Sequence, residues 1–137
     1  MSESPLDYLP HRPPMVLVDE ILWVEEESRT TRCAVAVPGD FFLVEEGAIP
    51  DVVLIEMMAQ ASACLKGWID VHRGLPVKIG YLVGIDTSAF HAPLRPGDRL
   101  TIDARMLDEI SGYFKFECAV VRDGAAVAEA TLSFMVP

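Results

Sequence analysis

Apolar and polar residues alternate along three segments in the last third of the chain. The apolar positions recur at every second residue in segments 100–106, 114–120 and 126–134. A period of two residues is typical of a β-strand that buries one face and exposes the other. The last two segments are joined by Asp123-Gly124, a pair that favours a tight hairpin turn. These segments therefore predict an antiparallel meander of three strands.

Three further strands are predicted from runs rich in valine, leucine, isoleucine and threonine. They cover residues 15–23, 30–37 and 78–85. Residues 6–12 can form one helical turn, which the Pro13-Pro14 pair would end. Residues 41–49 have no clear period, and we expect a loop there.

Residues 51–73 have the pattern of one long helix of about six turns. Asp51 is a favourable N-cap, and Gly74 stands where a left-handed residue often ends a helix. The first half of this segment is apolar almost all round, which indicates burial in a core. Its apolar part is too short to span a bilayer and contains Glu56, so we expect a buried central helix and no membrane span.

Together these elements predict a single α+β domain over residues 1–137. The antiparallel sheet must wrap the helix, because no other element can cover its apolar surface. This arrangement is hotdog-like. Polar residues of the helix share one stripe, which we expect to face solvent: Ser62, Lys66, Asp70 and Arg73. Glu56 lies about 90° from that stripe.

Composition narrows the classes of function. The chain has 11 Lys and Arg against 21 Asp and Glu, a net charge of −10. A surface this negative repels polyanions, so nucleic-acid binding is disfavoured. Cys33, Cys64 and Cys118 are an odd number without CxxC spacing, as expected for reduced thiols in the cytoplasm. The N-terminus lacks the basic and apolar regions of a signal peptide, and we expect a cytoplasmic protein.

Glu56 is the strongest candidate for chemistry, because a carboxylate in the most apolar part of a helix needs a reason. The alternative is that its tip reaches water or an arginine at the helix edge. Gln60, one turn further on, could orient Glu56 or donate to a substrate carbonyl, or it could serve a structural role by bonding to the backbone. His11 is a further candidate in a proline-flanked turn, whereas His72 and His91 fit surface or structural roles.

Motifs for other kinds of chemistry are missing from the sequence. It has no GxSxG elbow, no glycine-rich phosphate loop, and no spacing of His, Asp or Glu that suggests a metal site. Hydride transfer and metal-dependent hydrolysis are therefore disfavoured. We expect no metal and no cofactor.

Three blocks of sequence stand out in order along the chain. They are LPHRPPMVLVD at 9–19, LIEMMAQAS at 54–62, and YLVGID at 81–86 followed by Phe90 and RPGD at 95–98. The chain resembles the 3-hydroxyacyl-[acyl-carrier-protein] dehydratases, whose corresponding blocks read LPHRxPFLLVD, IEAMAQAS and YxAGID…F…xPGD. The resemblance extends from Leu9 to Met135, nearly the whole chain.

This resemblance implies a hotdog dimer in which a helix glutamate works opposite a loop histidine at each interface. Glu56 matches the glutamate. Alignment places Phe42 where the family has its histidine, and no histidine occurs between Arg12 and Val71. The departure resembles a divergent, aryl-polyene-type subgroup whose members lack that histidine. We expect Phe42, Gln60 and Gly84 to contribute to substrate binding.

The leading hypothesis is dehydration of a 3-hydroxyacyl thioester, carried by acyl carrier protein or coenzyme A, in fatty-acid or polyketide synthesis. Glu56 would act as acid or base, and His11 could supply the second group. One alternative is a non-catalytic subunit that pairs with an active homologue, since half of the usual dyad is missing. The other is a thioesterase in which one helix carboxylate directs water.

Several structural expectations accompany this hypothesis. Glu56 should be mostly buried beside an apolar tunnel, with Phe41 or Phe42 closing the pocket. Strand 81–85 or a neighbouring strand should extend the sheet across the two-fold axis of a homodimer, a higher oligomer or a heterodimer with a homologous dehydratase. Because the carrier protein is acidic by family expectation, a local basic patch is also needed; its candidates are Arg12, Lys78, Arg95 and Arg99.

Overall fold

A six-stranded antiparallel sheet and one long helix make up the fold in the computed structural model, which describes residues 2–137. The elements are β1 (Glu20–Glu25), β2 (Thr30–Ala36), α1 (Asp51–His72), β3 (Tyr81–Phe90), β4 (Arg99–Ile110), β5 (Tyr113–Arg122) and β6 (Ala125–Met135). The strand order is β1-β2-β4-β5-β6-β3. The helix lies against the face formed by β1, β2, β4, β5 and β6, with β3 at the edge. This is the α+β arrangement predicted from the sequence.

Two tight hairpins build the C-terminal meander. Asp123 and Gly124, between β5 and β6, have φ angles of 52° and 79°, as the hairpin prediction requires. Ser111 and Gly112 connect β4 to β5 with φ angles of 48° and 83°. The second turn was not predicted, because serine gives a weaker turn signal there than asparagine or aspartate.

Helix α1 forms the centre of the core. By length and composition it could cross a membrane, yet 67% of its most apolar window is buried inside the domain, as expected for a core helix. The helix ends as predicted, because Gly74 follows it in the left-handed conformation with a φ of 77°. Its start differs from the prediction. Pro50 occupies the N-cap position, Asp51 is the first helical residue, and no side chain caps the helix.

The predicted strand at residues 15–23 is shorter in the structure and begins only at Glu20. Its first residues are tied to the helix, because the Leu17 N–H donates to Gln60 Oε1 at 2.7 Å. A side chain thus takes the hydrogen bond that a neighbouring strand would have received. Two other predicted elements shift as well: the helical turn at 6–12 is the short 3-10 turn Pro5–Asp7, and the strand at 78–85 becomes β3.

The polar stripe expected to face solvent is mostly covered. Ser62 and Asp70 are buried, and the Lys66 side chain is only 15% exposed. Ser62 Oγ bonds to the Met58 carbonyl at 2.9 Å and lies 3.1 Å from Cys118 Sγ on β5. Strand β5 covers this side, since Cys118 contacts Ser62 and the centroid of the Phe114 ring lies 4.7 Å from Lys66 Nζ, so only the Arg73 end of the stripe is exposed.

All three cysteines are buried and unpaired in the domain. This agrees with the sequence interpretation of reduced core thiols. Burial raises the pKa of the Cys118 thiol to about 12, with a partly opposing hydrogen bond from Ser62. A thiol with so high a pKa stays protonated near neutral pH and is a poor nucleophile.

Candidate active site

A cavity of about 130 Å³ lies between helix α1 and the end of the sheet formed by β3, β5 and β6. The helix contributes small residues, Ala59, Ser62 and Ala63, which leave room beside its backbone. The opposite wall is apolar and comprises Leu82, Phe114, Phe116, Phe134 and Val136. Polar and charged side chains lie around this apolar space: His11, Glu56, Lys66 and Lys78. The arrangement is typical of a small-molecule site, with apolar walls and few polar groups.

Glu56 is half-buried on the cavity wall. It was expected to be mostly buried beside apolar walls, and its intermediate exposure and the apolar lining of the cavity agree with that expectation. Gln60 Nε2 donates to Glu56 Oε2 at 3.4 Å, one helical turn away. No other hydrogen bond to the carboxylate is present within residues 2–137. Its second oxygen therefore remains available to an occupant of the cavity.

Gln60 is fully buried and does not line the cavity. Besides accepting from Leu17, it donates through Nε2 to the Met15 carbonyl at 2.7 Å. Both ends of the amide are thus bonded to the backbone of the segment that follows His11. These contacts fit the structural role that was the alternative for Gln60. Its bond to Glu56 also makes it a positioning residue, but Gln60 itself does not reach the cavity of this chain.

His11 lines the same cavity as Glu56. Its Nδ1 atom is buried and has no hydrogen-bond partner in the described part of the chain. Most buried polar atoms are paired, so this unpaired ring nitrogen stands out. Because Nδ1 is itself buried, other atoms of His11 form its contact with the cavity. The next residue holds the turn in place, since Arg12 Nη1 donates to the Leu9 and His11 carbonyls at 2.8 and 2.7 Å.

Phe42 and Gly84 lie away from this cavity. Phe42 is 54% exposed and borders a different hollow, next to Phe41 and Met57. Met57 follows Glu56 directly and so points about 100° away around the helix. Gly84 sits in the edge strand β3, where its nearest neighbours are Asp86 and Ser133. Within one chain, neither residues 41–49 nor Gly84 line the Glu56 cavity. The expected roles of residues 41–49 in closing the pocket, and of Phe42 and Gly84 in binding substrate, stay predictions for the assembled dimer.

Lys66 is a cavity residue that the sequence interpretation missed. The prediction assigned it to a solvent stripe because it lies about 80–90° from Glu56 around the helix. The apolar stripe of a core-facing helix is itself about 100° wide, so both residues can border one cavity. The run of small residues between them, Ala59, Ser62 and Ala63, was the available signal that this face borders an open space.

A carboxylate and an imidazole beside one apolar cavity can move protons to and from a bound molecule. General acid–base catalysis needs such a group within reach of the reacting atoms. The residues that line the cavity therefore favour proton-transfer chemistry. No cluster of three or more His, Cys, Asp or Glu side chains that could hold a metal ion occurs in residues 2–137.

Comparison with known proteins identifies the family. The family model described as ApeP-like, ApeP dehydratase, matches residues 3–137. A 3-hydroxyacyl-[acyl-carrier-protein] dehydratase FabZ from Thiobacillus denitrificans is 35% identical over 134 residues, covering 95% of this chain and 92% of the relative. A protein of the same name from Nitrosospira multiformis is 37% identical over 131 residues, covering 93% and 90%.

Solved structures agree with this result. The dehydratase heterocomplex ApeI:P from Xenorhabdus doucetiae contains a chain that is 28% identical, with a TM-score of 0.89 over 98% of this chain and 91% of that one. A protein from Pyrococcus horikoshii is 14% identical with a TM-score of 0.70, covering 96% and 92%, and shares the fold alone. The hotdog fold, the dehydratase-like sequence blocks and the near-complete family match lead to one conclusion: this chain belongs to the ApeP-like dehydratase family.

Proposed function

We propose that this protein removes water from a 3-hydroxyacyl thioester, with Glu56 and His11 as the acid–base pair. The observation that carries the proposal is their shared cavity, which both residues line. The relatives named as 3-hydroxyacyl-[acyl-carrier-protein] dehydratases support this choice of substrate. The thioester would be carried by acyl carrier protein or coenzyme A, in fatty-acid or aryl-polyene-type polyketide synthesis.

The reaction breaks the C2–H and C3–O bonds of the substrate and forms a C2=C3 double bond. One member of the pair removes the C2 proton, which is acidic because it adjoins the thioester carbonyl, and the other protonates the departing hydroxyl to give water. Gln60 bonds only one oxygen of Glu56, which holds the carboxylate in place and leaves the other oxygen for the substrate. Neither step requires a metal or a redox cofactor.

The carrier protein would approach from the side of the cavity that carries exposed cations. Lys78 is exposed and lines the cavity, and Arg12 is exposed beside His11. Arg95 and Arg99 lie elsewhere, before β4 and at its start, where Arg95 Nη1 contacts the Gly47 carbonyl at 3.2 Å. Of the four predicted basic residues, Arg12 and Lys78 are therefore the better placed to guide an acidic carrier. We place this reaction in the cytoplasm, consistent with three unpaired thiols.

A second candidate function is that of a subunit that needs a homologous dehydratase for activity. It is favoured by the likeness to a chain of a dehydratase heterocomplex and by Phe42 at the position of the family's loop histidine. In such an assembly the partner would provide the loop histidine. His11 would then be dispensable for proton transfer, whereas Glu56 would still be needed.

Turnover of 3-hydroxybutyryl thioester to crotonyl thioester tests the proposal, with the chain alone and with a homologous dehydratase. We expect Glu56→Gln and His11→Ala each to lower kcat/KM by about a hundredfold or more. His91→Ala is the matched control, because His91 is exposed, lies outside the cavity and pairs with Glu129 at 2.9 Å; it should leave the rate unchanged.

Each outcome selects one interpretation. Loss of rate in Glu56→Gln alone contradicts the Glu56–His11 pair and supports catalysis by Glu56 with another group. Activity only in the presence of a homologue supports the subunit role. Release of free thiol without dehydration would identify a thioesterase, and no turnover in any combination would refute the proposed reaction.

A further inference from the structure

Residues 3–11 form an N-terminal strap that lies against helix α1 and ends at the cavity. The strap begins at Glu3, whose backbone N–H and carbonyl bond to the backbone of Ile21 in β1 at 2.9 Å each. It contacts the helix at Tyr8, which is buried. Its last residue, His11, lines the cavity. The position of His11 therefore depends on how the strap is held on the helix.

We propose that Glu3 is a positioning residue that holds the strap on helix α1 and thereby fixes His11 beside the cavity. The inference rests on the proposed function, in which His11 transfers a proton. Glu3 does not line the cavity, so its effect on the reaction passes through His11.

Both oxygens of the Glu3 carboxylate accept hydrogen bonds. Oε1 accepts from the Tyr8 hydroxyl at 2.6 Å, and Oε2 accepts from Trp68 Nε1 at 2.8 Å. Tyr8 belongs to the strap and Trp68 to helix α1, so one side chain joins the two elements. Hydrogen bonds to an ionised acceptor are shorter and stronger than those between neutral groups.

The protonation states of the three side chains suit these contacts. The hydrogen bond from Tyr8, together with the one from Trp68, lowers the pKa of Glu3, partly offset by burial. Burial and the bond to Glu3 raise the pKa of Tyr8 to about 12. Near neutral pH, Glu3 is therefore an ionised acceptor and Tyr8 a protonated donor. The Trp68 ring is fixed as well, since it stacks on His72 with 3.8 Å between ring centroids.

Apolar packing alone does not fix the direction of the strap. Tyr8 and Leu9 are buried, but hydrophobic contact is non-directional. Within residues 2–137, the bond from Trp68 to Glu3 is the one hydrogen bond between the strap and helix α1. The His11 ring has no partner at its buried Nδ1 in the same residues. The backbone of the strap therefore has to place the imidazole.

Dehydration of 3-hydroxybutyryl thioester by the full chain gives the first test. Glu3→Ala removes both hydrogen bonds and should lower kcat about tenfold with little change in KM, because a displaced catalytic group slows the chemical step. Glu3→Gln should keep most of the rate, since its amide oxygen can accept from Trp68 and its amide N–H can donate to the Tyr8 oxygen. Glu27→Ala is the matched control, because it removes an exposed carboxylate between β1 and β2.

The same change in a His11→Ala background separates positioning from a general loss of stability. If Glu3 acts through His11, Glu3→Ala should lower the remaining rate no further. An equal loss of rate in both backgrounds would overturn the inference. Trp68→Phe deletes only the bond between strap and helix and should reproduce the loss, so the role of Glu3 stays testable if Glu3→Ala does not fold.

NMR signals of the His11 ring report its position without turnover, and His11→Ala assigns them. Glu3→Ala should shift or broaden these signals, whereas Glu27→Ala should leave them in place. Shifted signals in a chain that does not dehydrate would refute only the proposed reaction. Unchanged signals, or an unchanged kcat in Glu3→Ala when His11 is required, would refute only the role of Glu3. Dehydration that does not need His11 would refute both.

Discussion

Gln60 links helix α1 to a segment more than forty positions earlier in the chain. Its amide accepts from the Leu17 N–H, donates to the Met15 carbonyl and reaches Glu56. The first and second sequence blocks that resemble the dehydratases therefore meet at this side chain. One buried amide thus joins Glu56 to the N-terminal segment that contains His11.

Replacing Gln60 with leucine should destabilise the protein by about 1–3 kcal/mol. The buried Leu17 N–H would lose its acceptor, and an unpaired buried donor costs about that much. Met15 is exposed enough for its carbonyl to bond water instead. Urea unfolding measures the change. Met58→Leu, an apolar substitution in the buried part of the same helix, should cost about 1 kcal/mol or less. A Gln60→Leu variant as stable as the parent would show that the hydrogen bond between Gln60 and Leu17 does not contribute to the stability of the protein.

Sequence reasoning identified the site residues that stand out by residue type and missed those that depend on packing. Glu56 was found because a carboxylate is rare in an apolar helix, and His11 because it lies in a resembling block; both line the cavity. Phe42 was placed by alignment, which says nothing about the direction in which its loop carries it. Lys66 was misplaced because helical angles do not show how far the sheet extends over the helix.

At the scale of elements, the spacing of apolar residues and the lengths of the segments predicted the strands and the helix that depend mainly on local sequence. The strands of the meander and helix α1 appear where the periods of two and 3.6 residues place them. The first predicted strand fails at its start, because the Met15 carbonyl and the Leu17 N–H bond to the Gln60 side chain, a contact between segments distant in sequence. From Asp19 on, the backbone bonds to β2, since the Asp19 N–H donates to the Ala34 carbonyl at 3.0 Å. Tertiary contacts such as those of Gln60 override the local preference for a strand, and the spacing of apolar residues in the segment does not reveal them.

The contact between helix α1 and the N-terminal segment depends on Gly67. A Cβ atom at this position would lie 2.2 Å from the Tyr8 carbonyl oxygen and 3.0 Å from Tyr8 Cβ. Alanine normally stabilises a helix by about 1 kcal/mol over glycine. Here the clash with backbone should outweigh that gain.

We therefore expect Gly67→Ala to lower the free energy of unfolding by about 1–3 kcal/mol, the usual cost of overpacking. Thermal and urea unfolding both report the change. Gly39→Ala is the matched control, since a Cβ atom added there would have no neighbour within 4 Å and the φ of Gly39 is not left-handed; it should be neutral or slightly stabilising. A stabilised Gly67→Ala protein would mean that the N-terminal segment moves away without cost.

The whole molecule leaves one edge of its sheet incomplete. Strand β3 pairs with β6 on one side only, as the last strand in the order. Four of its apolar side chains are well exposed: Tyr81, Leu82, Val83 and Ile85. An exposed, long apolar edge strand is a site for pairing with another chain. The same edge borders the cavity through Leu82, so an assembly there would also shape the substrate site.

We expect β3 to pair with β3 of a second chain, either a copy of this one or a homologous dehydratase, across a two-fold axis. Val83→Lys places an ammonium group in the apolar edge of β3, and in a homodimer it adds one from each copy, so it should weaken association by at least about tenfold. Ile110→Lys is the control, since Ile110 is 65% exposed at the end of β4 and outside the edge. Light scattering at micromolar concentration, with and without the homologue, measures the mass. A parent protein that is monomeric in both conditions, or a Val83→Lys variant that associates as tightly as the Ile110→Lys control, would contradict pairing through β3.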